Sequence, residues 1–338
     1  MKRVVQSLSV AAVLAGMAVS FSARAEADNP ACAATAATVI PKAHEPDAAS
    51  RARLAKCESE RLYYADGGSP NYVDARLCAF LEREKDDAPV FGGSAVLMMI
   101  YANGYGVARD LRLAKKFACE TEGAPAELDG RLAHLDAMAQ ASGADAPFDL
   151  CDDITSGYMM GFCARRAADA ATVERSRRVN ALTAAWSPEV RAGFAKVRAA
   201  ADAYFDAVVD GEVDMSGTAR GAMAVGARET LETVLEEALG AFDRGALPQG
   251  DAAAFAAADK ALNATYAETL RRYKADSAEG IAGTVTPDGI RAAERAWIRY
   301  RDAWVAFGAL KYPAVPADAW RTHFTRERER ALKELLGE

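Results

Sequence analysis

From about residue 51 nearly to its end, the chain repeats its apolar side chains at steps of three and four, and nowhere alternates them in twos. That period puts them on one stripe of an α-helix and leaves no half-buried strand to build. Alanine is abundant, which favours helix. Turn-forming breaks fall at Asp66-Gly67-Gly68-Ser69-Pro70, Ala88-Pro89, Asn103-Gly104-Tyr105-Gly106, Ser142-Gly143, Asp210-Gly211, Pro248-Gln249-Gly250 and Gly280 to Pro287. They divide the chain into helices of roughly 10–25 residues. The expected class is all-α, a short helical-hairpin repeat region followed by an antiparallel helical bundle.

The first 25 residues read as a secretory signal. Lys2 and Arg3 give a positive start, Val4 to Val19 is largely apolar, and Ala23-Arg24-Ala25 supplies small residues at a cleavage site. The apolar run is short for a bilayer span of about 20 residues. No later segment is apolar enough to span, so no membrane crossing is expected after cleavage. Removing the leader takes away Lys2, Arg3 and Arg24 and no acid, which moves the formal charge from −7 to −10. Such a chain is a poor ligand for nucleic acid and a plausible partner for a basic protein, because opposite charge speeds encounter.

Six cysteines follow the leader: Cys32, Cys57, Cys78, Cys119, Cys151 and Cys163. An even count in an exported chain predicts disulfides. Cys151 and Cys163 bracket a short turn-prone loop, CDDITSGYMMGFC, where a local bridge fits. Asp152, Asp153 and Thr155 stand ready to cap a helix there. His44, His134 and His323 lie far apart, and no cysteine spacing matches a zinc site, so no metal is assigned. Asp210, Glu212, Asp214 and Ser216 alternate as in calcium loops, but the glycine and the final bidentate acid are misplaced. No nucleophile elbow, phosphate loop or cofactor fingerprint is present, so neither a cofactor nor a catalytic residue is assigned.

Residues 26–50, with Pro30, Pro41 and Pro46, read as a linker pinned at Cys32. Residues 51–142 form the repeat-like region and 143–338 the bundle. Two helix starts in the bundle are alike. Ser187-Pro188-Glu189 and Thr286-Pro287-Asp288 each put a capping hydroxyl before a proline and an acid. The first opens a stripe of Phe194, Val197, Ala201, Tyr204 and Val208, the second one of Ala293, Trp297, Tyr300, Trp304 and Phe307. Val179-Asn180-Ala181 and Leu262-Asn263-Ala264 echo as well. Together they predict an internal duplication.

In residues 93–117, Leu97 and Tyr101 share a helix face, Gly104 and Gly106 break the helix, and Val107 plugs the corner. Asp110 caps the next helix, whose inner face is Leu113, Ala114 and Phe117. This set, Leu97, Tyr101, Gly104, Gly106, Val107, Asp110, Ala114 and Phe117, resembles the Sel-one-like repeat, a relative of the tetratricopeptide repeat. Met98 stands where that family usually has glycine. Residues 57–80 look like a degenerate copy, with Tyr64, Gly67 and Ala75 in similar roles. The resemblance implies a helical solenoid that binds proteins, and it places Cys57 and Cys78 on paired helices where they could cross-link.

Further along, Cys151, Met159 and Cys163 are followed by Asp259, Leu262, Asn263 and Tyr266 and by Ala296, Trp297, Tyr300, Arg301 and Asp302. These pieces resemble the LprI-type lysozyme inhibitor family. The family's cysteine loop runs almost directly into its D-x-x-L-N helix, whereas here about 95 residues intervene. Val305 stands near a place where that family often has a cysteine. The resemblance implies a periplasmic or secreted protein that binds a basic lysozyme and blocks it. Exposed elements for that contact are the cysteine-bracketed loop, with Asp152, Asp153 and Met159, and the acidic turn Asp210, Glu212 and Asp214. The aromatic motif residues read as buried packing, Arg301 and Asp302 as a structural ion pair, and Asn263 as a bond between helices. An envelope scaffold acting through the helical repeats is the alternative function.

Overall fold

The computed structural model describes residues 29–65, 68–85, 90–141 and 146–338. The leader at residues 1–25 and parts of the breaks, at 66–67, 88–89 and 142–143, lie outside the described residues. Within these the chain forms thirteen α-helices and no strand, the all-α class its periodicity dictates. It divides into two compact units, one ending at Ser156 and the other spanning Gly157–Glu338.

The first unit contains α1 (Pro30–Ala36), α2 (Ala48–Arg53), α3 (Ser59–Tyr64), α4 (Tyr72–Arg83), α5 (Ser94–Asn103), α6 (Leu111–Cys119) and α7 (Pro125–Gln140). From α3 onward each helix packs on the next. The stretch expected as a linker carries α1 and the start of α2, and Cys32–Cys119 ties α1 to α6. Cys57–Cys78 joins the segment before α3 to α4, the pairing that the repeat resemblance implied. Residues 146–156, placed by the sequence with the second half, pack in this unit. Asn103 Nδ2 donates to Phe148 O at 2.8 Å, Phe148 N donates back to Asn103 Oδ1 at 2.7 Å, and Tyr64 OH donates to Asp149 at 2.7 Å.

Every residue of α5 from Val96 to Ala102 is fully buried, the mark of a helix with neighbours on all sides. Gly104 ends it in the left-handed region at φ 70° and returns its N–H to Ile100 O at 2.9 Å. Gly106, at φ 65°, lies against α4, where an added Cβ would sit 3.0 Å from the Tyr72 main chain. The Asp110 carboxylate then accepts from Arg112 N at 3.0 Å and Leu113 N at 3.2 Å. Leu113, Ala114 and Phe117 are buried, as the hairpin reading requires.

The second unit contains α8 (Gly157–Thr183), α9 (Pro188–Glu212), α10 (Arg220–Asp243), α11 (Ala252–Glu279), α12 (Pro287–Lys311) and α13 (Ala317–Leu336). Ser187 Oγ accepts from Val190 N at 3.2 Å and Thr286 Oγ1 from Gly289 N at 3.1 Å, so both expected caps form and both helices run 25 residues. Two three-helix sets result. In the first, α8 and α10 run parallel and pack together, and α9 is the antiparallel helix that joins them in sequence; Arg175 meets Glu229 and Arg178 meets Glu236. In the second, α11 and α13 run parallel around α12; Arg321 lies over Phe255 and Tyr273 OH donates to Leu335 O at 3.2 Å. The middle helices α9 and α12 pack antiparallel along their length, and Tyr204 stacks on Tyr300 near the crossing at 5.4 Å.

That crossing is the core of the unit. The stripe residues Phe194, Val197, Ala201 and Tyr204 of α9 and Trp297, Tyr300, Trp304 and Phe307 of α12 are all buried, joined by Phe242, Trp320 and Phe324. Trp304 and Trp320 lie within 9° of parallel at 6.3 Å. Gly308 lets them meet, since a Cβ there would come within 2.4 Å of the Trp320 ring. Large rings of this kind each contribute about 1.5–3 kcal/mol by leaving water. The echoing asparagines do not share a register: Asn180 sits in the last turn of α8, Asn263 in the first half of α11.

Candidate functional site

The cysteine-bracketed segment is built on a buried carboxylate. Glu127 of α7 is fully enclosed and accepts from Thr155 N at 3.0 Å, Ser156 N at 2.7 Å and Ala124 N at 3.2 Å. Burial works against its charge, but the hydrogen bonds from Ser156, Thr155 and Ala124 outweigh it and hold its pKa low. Asp153 pairs with His134 Nδ1 at 3.0 Å and is half-buried. Asp152 accepts from Asp149 N at 2.7 Å while remaining exposed. Met159 lies on the buried face of α8 and is not displayed to a partner, contrary to the sequence expectation. Cys151 and Cys163 are disulfide-bonded, and among the described residues no cysteine is free.

The acidic turn also differs from its expected role. Glu212 is not a surface acid. Its two oxygens accept from Arg328 of α13 at 2.9 and 2.5 Å, and Arg328 Nε donates to Glu294 of α12 at 2.9 Å. Arg328 is 1% exposed, so three helices share one internal ion cluster. Burial beside this cluster pushes the Tyr204 hydroxyl up to about 12. Asp214 is likewise engaged: it accepts from Ser216 N at 3.0 Å, Ser216 Oγ at 2.7 Å and Thr284 N at 3.0 Å, which holds its pKa down at about 2. Only Asp210 points free into solvent. The hydrogen-bonding capacity of Glu212 and Asp214 goes to joining α9 to the second set of helices, which is why neither is left for a partner.

The motif helices show the same division between scaffold and surface. Leu262, Trp297 and Tyr300 are buried and Tyr266 is half-buried against them. Arg301 lies 5.1 Å from the Trp297 ring centroid and donates to Asp302 at 2.8 Å, the structural pair expected of them. Asn263 does not bond between helices. Its Nδ2 donates to Asp259 O at 2.8 Å and Asp259 Oδ2 at 3.0 Å, one turn back along its own exposed face. The motif therefore specifies a three-helix packing unit, and any contact with a partner falls on exposed positions around it.

Sequence reasoning missed Arg328 and Glu294. A signal existed: α13 carries Trp320, Phe324, Arg328 and Leu332 at steps of four, so a charge stands on an otherwise apolar stripe.

The second unit is thus a helical bundle whose distinctive side chains hold helices together. Residues 251–332, which span α11 and α12 and most of α13, match the family model Lysozyme inhibitor LprI. The match covers about a quarter of the chain. No curated protein and no solved structure matches the chain. Nothing in these comparisons extends the match to the Sel-one-like hairpin. The residues that separate Cys163 from Asp259 form most of the first three-helix set. Among the described residues no helix is long and apolar enough to cross a membrane.

Proposed function

We propose that the chain is an exported protein-binding inhibitor of a cell-wall hydrolase of the lysozyme type, acting by steric occlusion. The match of α11–α13 to the lysozyme inhibitor family carries this reading. The disulfides suit an oxidising compartment, and the formal charge of −7 suits a basic partner. Of the acids singled out in the sequence for contact with a partner, Asp152 and Asp210 are exposed and are the ones offered to a cationic surface. The same reading takes α8–α10 as a diverged copy of α11–α13. In support, each set has parallel outer helices, and each middle helix is capped by a hydroxyl and a proline and has 25 residues.

The test is enzymatic. Lysis of cell walls by lysozyme is followed with and without the oxidised protein. Dose-dependent inhibition at near-equimolar ratio is expected; full activity at a large molar excess rejects the proposal for that enzyme.

A further inference from the structure

Helix α12 buries Trp297, Tyr300 and Trp304 and turns a row of arginines outward. Arg291, Arg295 and Arg299 recur at steps of four, and all three are exposed. The other charges of this helix are taken. Arg291 donates to Asp288 at 2.7 Å, Arg328 to Glu294 at 2.9 Å, Arg301 to Asp302 at 2.8 Å and Lys311 to Asp243 at 3.3 Å. Arg295 and Arg299 make no hydrogen bond or ion pair among the described residues. Ile298, three residues on from Arg295, is 40% exposed. Tyr266 of α11 stands beside the row: burial and Glu294 raise its pKa, and Arg291 and Arg295 are near enough to oppose that rise.

The sign of this face is unexpected. Residues 251–332 carry 13 Lys and Arg against 11 Asp and Glu, in a chain whose formal charge is −7. The segment that matches the inhibitor family is therefore the basic part of an acidic chain. Its two unpaired arginines suit an acidic target, not the basic exterior of a lysozyme.

A retaining glycosidase has such a target at its centre, two catalytic carboxyls about 5–5.5 Å apart. Side chains four apart on one helix face stand about 5–6 Å apart at Cβ. A guanidinium is a planar fork that takes a carboxylate through two parallel hydrogen bonds. Arg295 and Arg299 thus present two forks at the spacing of the two acids, on long stems that no neighbour holds. Counted from the proline that opens each helix, the same positions of α9 are Lys196 and Ala200. The diverged copy lacks the pair.

Resting on the inhibitor reading above, we propose that Arg295 and Arg299 form the contact that blocks the enzyme. Their guanidinium groups pair with the two catalytic carboxylates of one lysozyme-type retaining hydrolase, and α12 covers the mouth of its cleft. Asp152 and Asp210 address the basic exterior of the partner; the two arginines address its acidic centre.

The test uses the full oxidised chain with lysozyme, by inhibition curves and calorimetric titration. Arg295→Gln with Arg299→Gln should raise the concentration for half-inhibition at least tenfold. Thermal melts and helical circular dichroism should not change, since neither side chain packs in the core. A lysozyme whose two catalytic carboxyls are replaced by amides should bind the unaltered chain at least tenfold more weakly than native lysozyme does. The double variant should no longer distinguish the two enzymes, as directly coupled groups require. Arg326→Gln with Arg330→Gln takes the same charge from an exposed face of α13 and should leave inhibition within about threefold. Undiminished inhibition by the Arg295 and Arg299 variant, an equal loss in the α13 variant, or equal binding of native and amidated lysozyme by the unaltered chain overturns this contact and leaves the inhibitor reading standing. An unaltered chain that neither binds nor inhibits lysozyme rejects both.

Discussion

Gly211 and Gly289 meet main chain to main chain: a methyl group on Gly211 would lie 2.6 Å from the Gly289 carbonyl oxygen. The close approach of the last turn of α9 to the first turn of α12 is therefore set by two residues without side chains. Gly211→Ala is expected to force the helices apart and lower stability by about 1–3 kcal/mol in denaturant unfolding. Gly226, inside α10 with nothing near its missing Cβ, is the contrast. Gly226→Ala should raise stability by up to about 1 kcal/mol, because alanine gives up less backbone freedom in a helix.

Arg328 is the hub of the internal ion cluster, and Glu212 is nearly as enclosed as Arg328 is. Arg328→Met leaves two buried carboxylates without a counter-charge and should cost about 3–5 kcal/mol. Adding Glu212→Gln and Glu294→Gln to that variant removes the stranded charges. A multiple-mutant cycle on unfolding free energies should then show recovery of a large part of the loss, as strongly coupled sites require.

Acid stability should report Asp214. Its carboxyl is held at about 2 in the folded chain by Ser216 and Thr284, below an ordinary aspartate value of 3.8. A lowered folded value stabilises the folded state above the unfolded value and loses that contribution as pH falls through the folded one. Asp214→Asn is accordingly expected to be the less stable protein at pH 7. The gap between variant and parent should close as pH falls from about 4 to about 2, read from denaturant midpoints across that range.

Inhibition should divide surface from scaffold. Asp152→Asn and Asp210→Asn leave the core intact and are expected to weaken lysozyme inhibition severalfold, chiefly by slowing association at low salt. Trp297→Ala removes a buried ring and should lose inhibition together with about 3–5 kcal/mol of stability. Association rates, inhibition curves and thermal melts for the three variants distinguish the two effects.

The helical class, the caps at Ser187 and Thr286, the buried stripes and the hairpin from Leu97 to Phe117 were legible because each is written locally, in spacing and in turn chemistry. The roles of Glu212, Asp214 and Met159 were not. Met159 looks like a loop residue until the helix that buries it is formed, and Glu212 and Asp214 look like surface acids until Arg328, 116 positions away, and Thr284, 70 positions away, are brought against them by the fold. Asn263 misled for the opposite reason: its partner, Asp259, is only one turn back on its own helix.

The enclosure of α5 has a consequence for synthesis. Ala-Val-Leu-Met-Met-Ile-Tyr leaves the ribosome before α6 and α7 exist to cover it. Until they do, this is the stretch of the first unit that a holdase or translocation chaperone would grip, since exposed apolar chain is what aggregates in transit. Once folded, its amides open only with the whole unit, and they should be the slowest in that unit to exchange with deuterium.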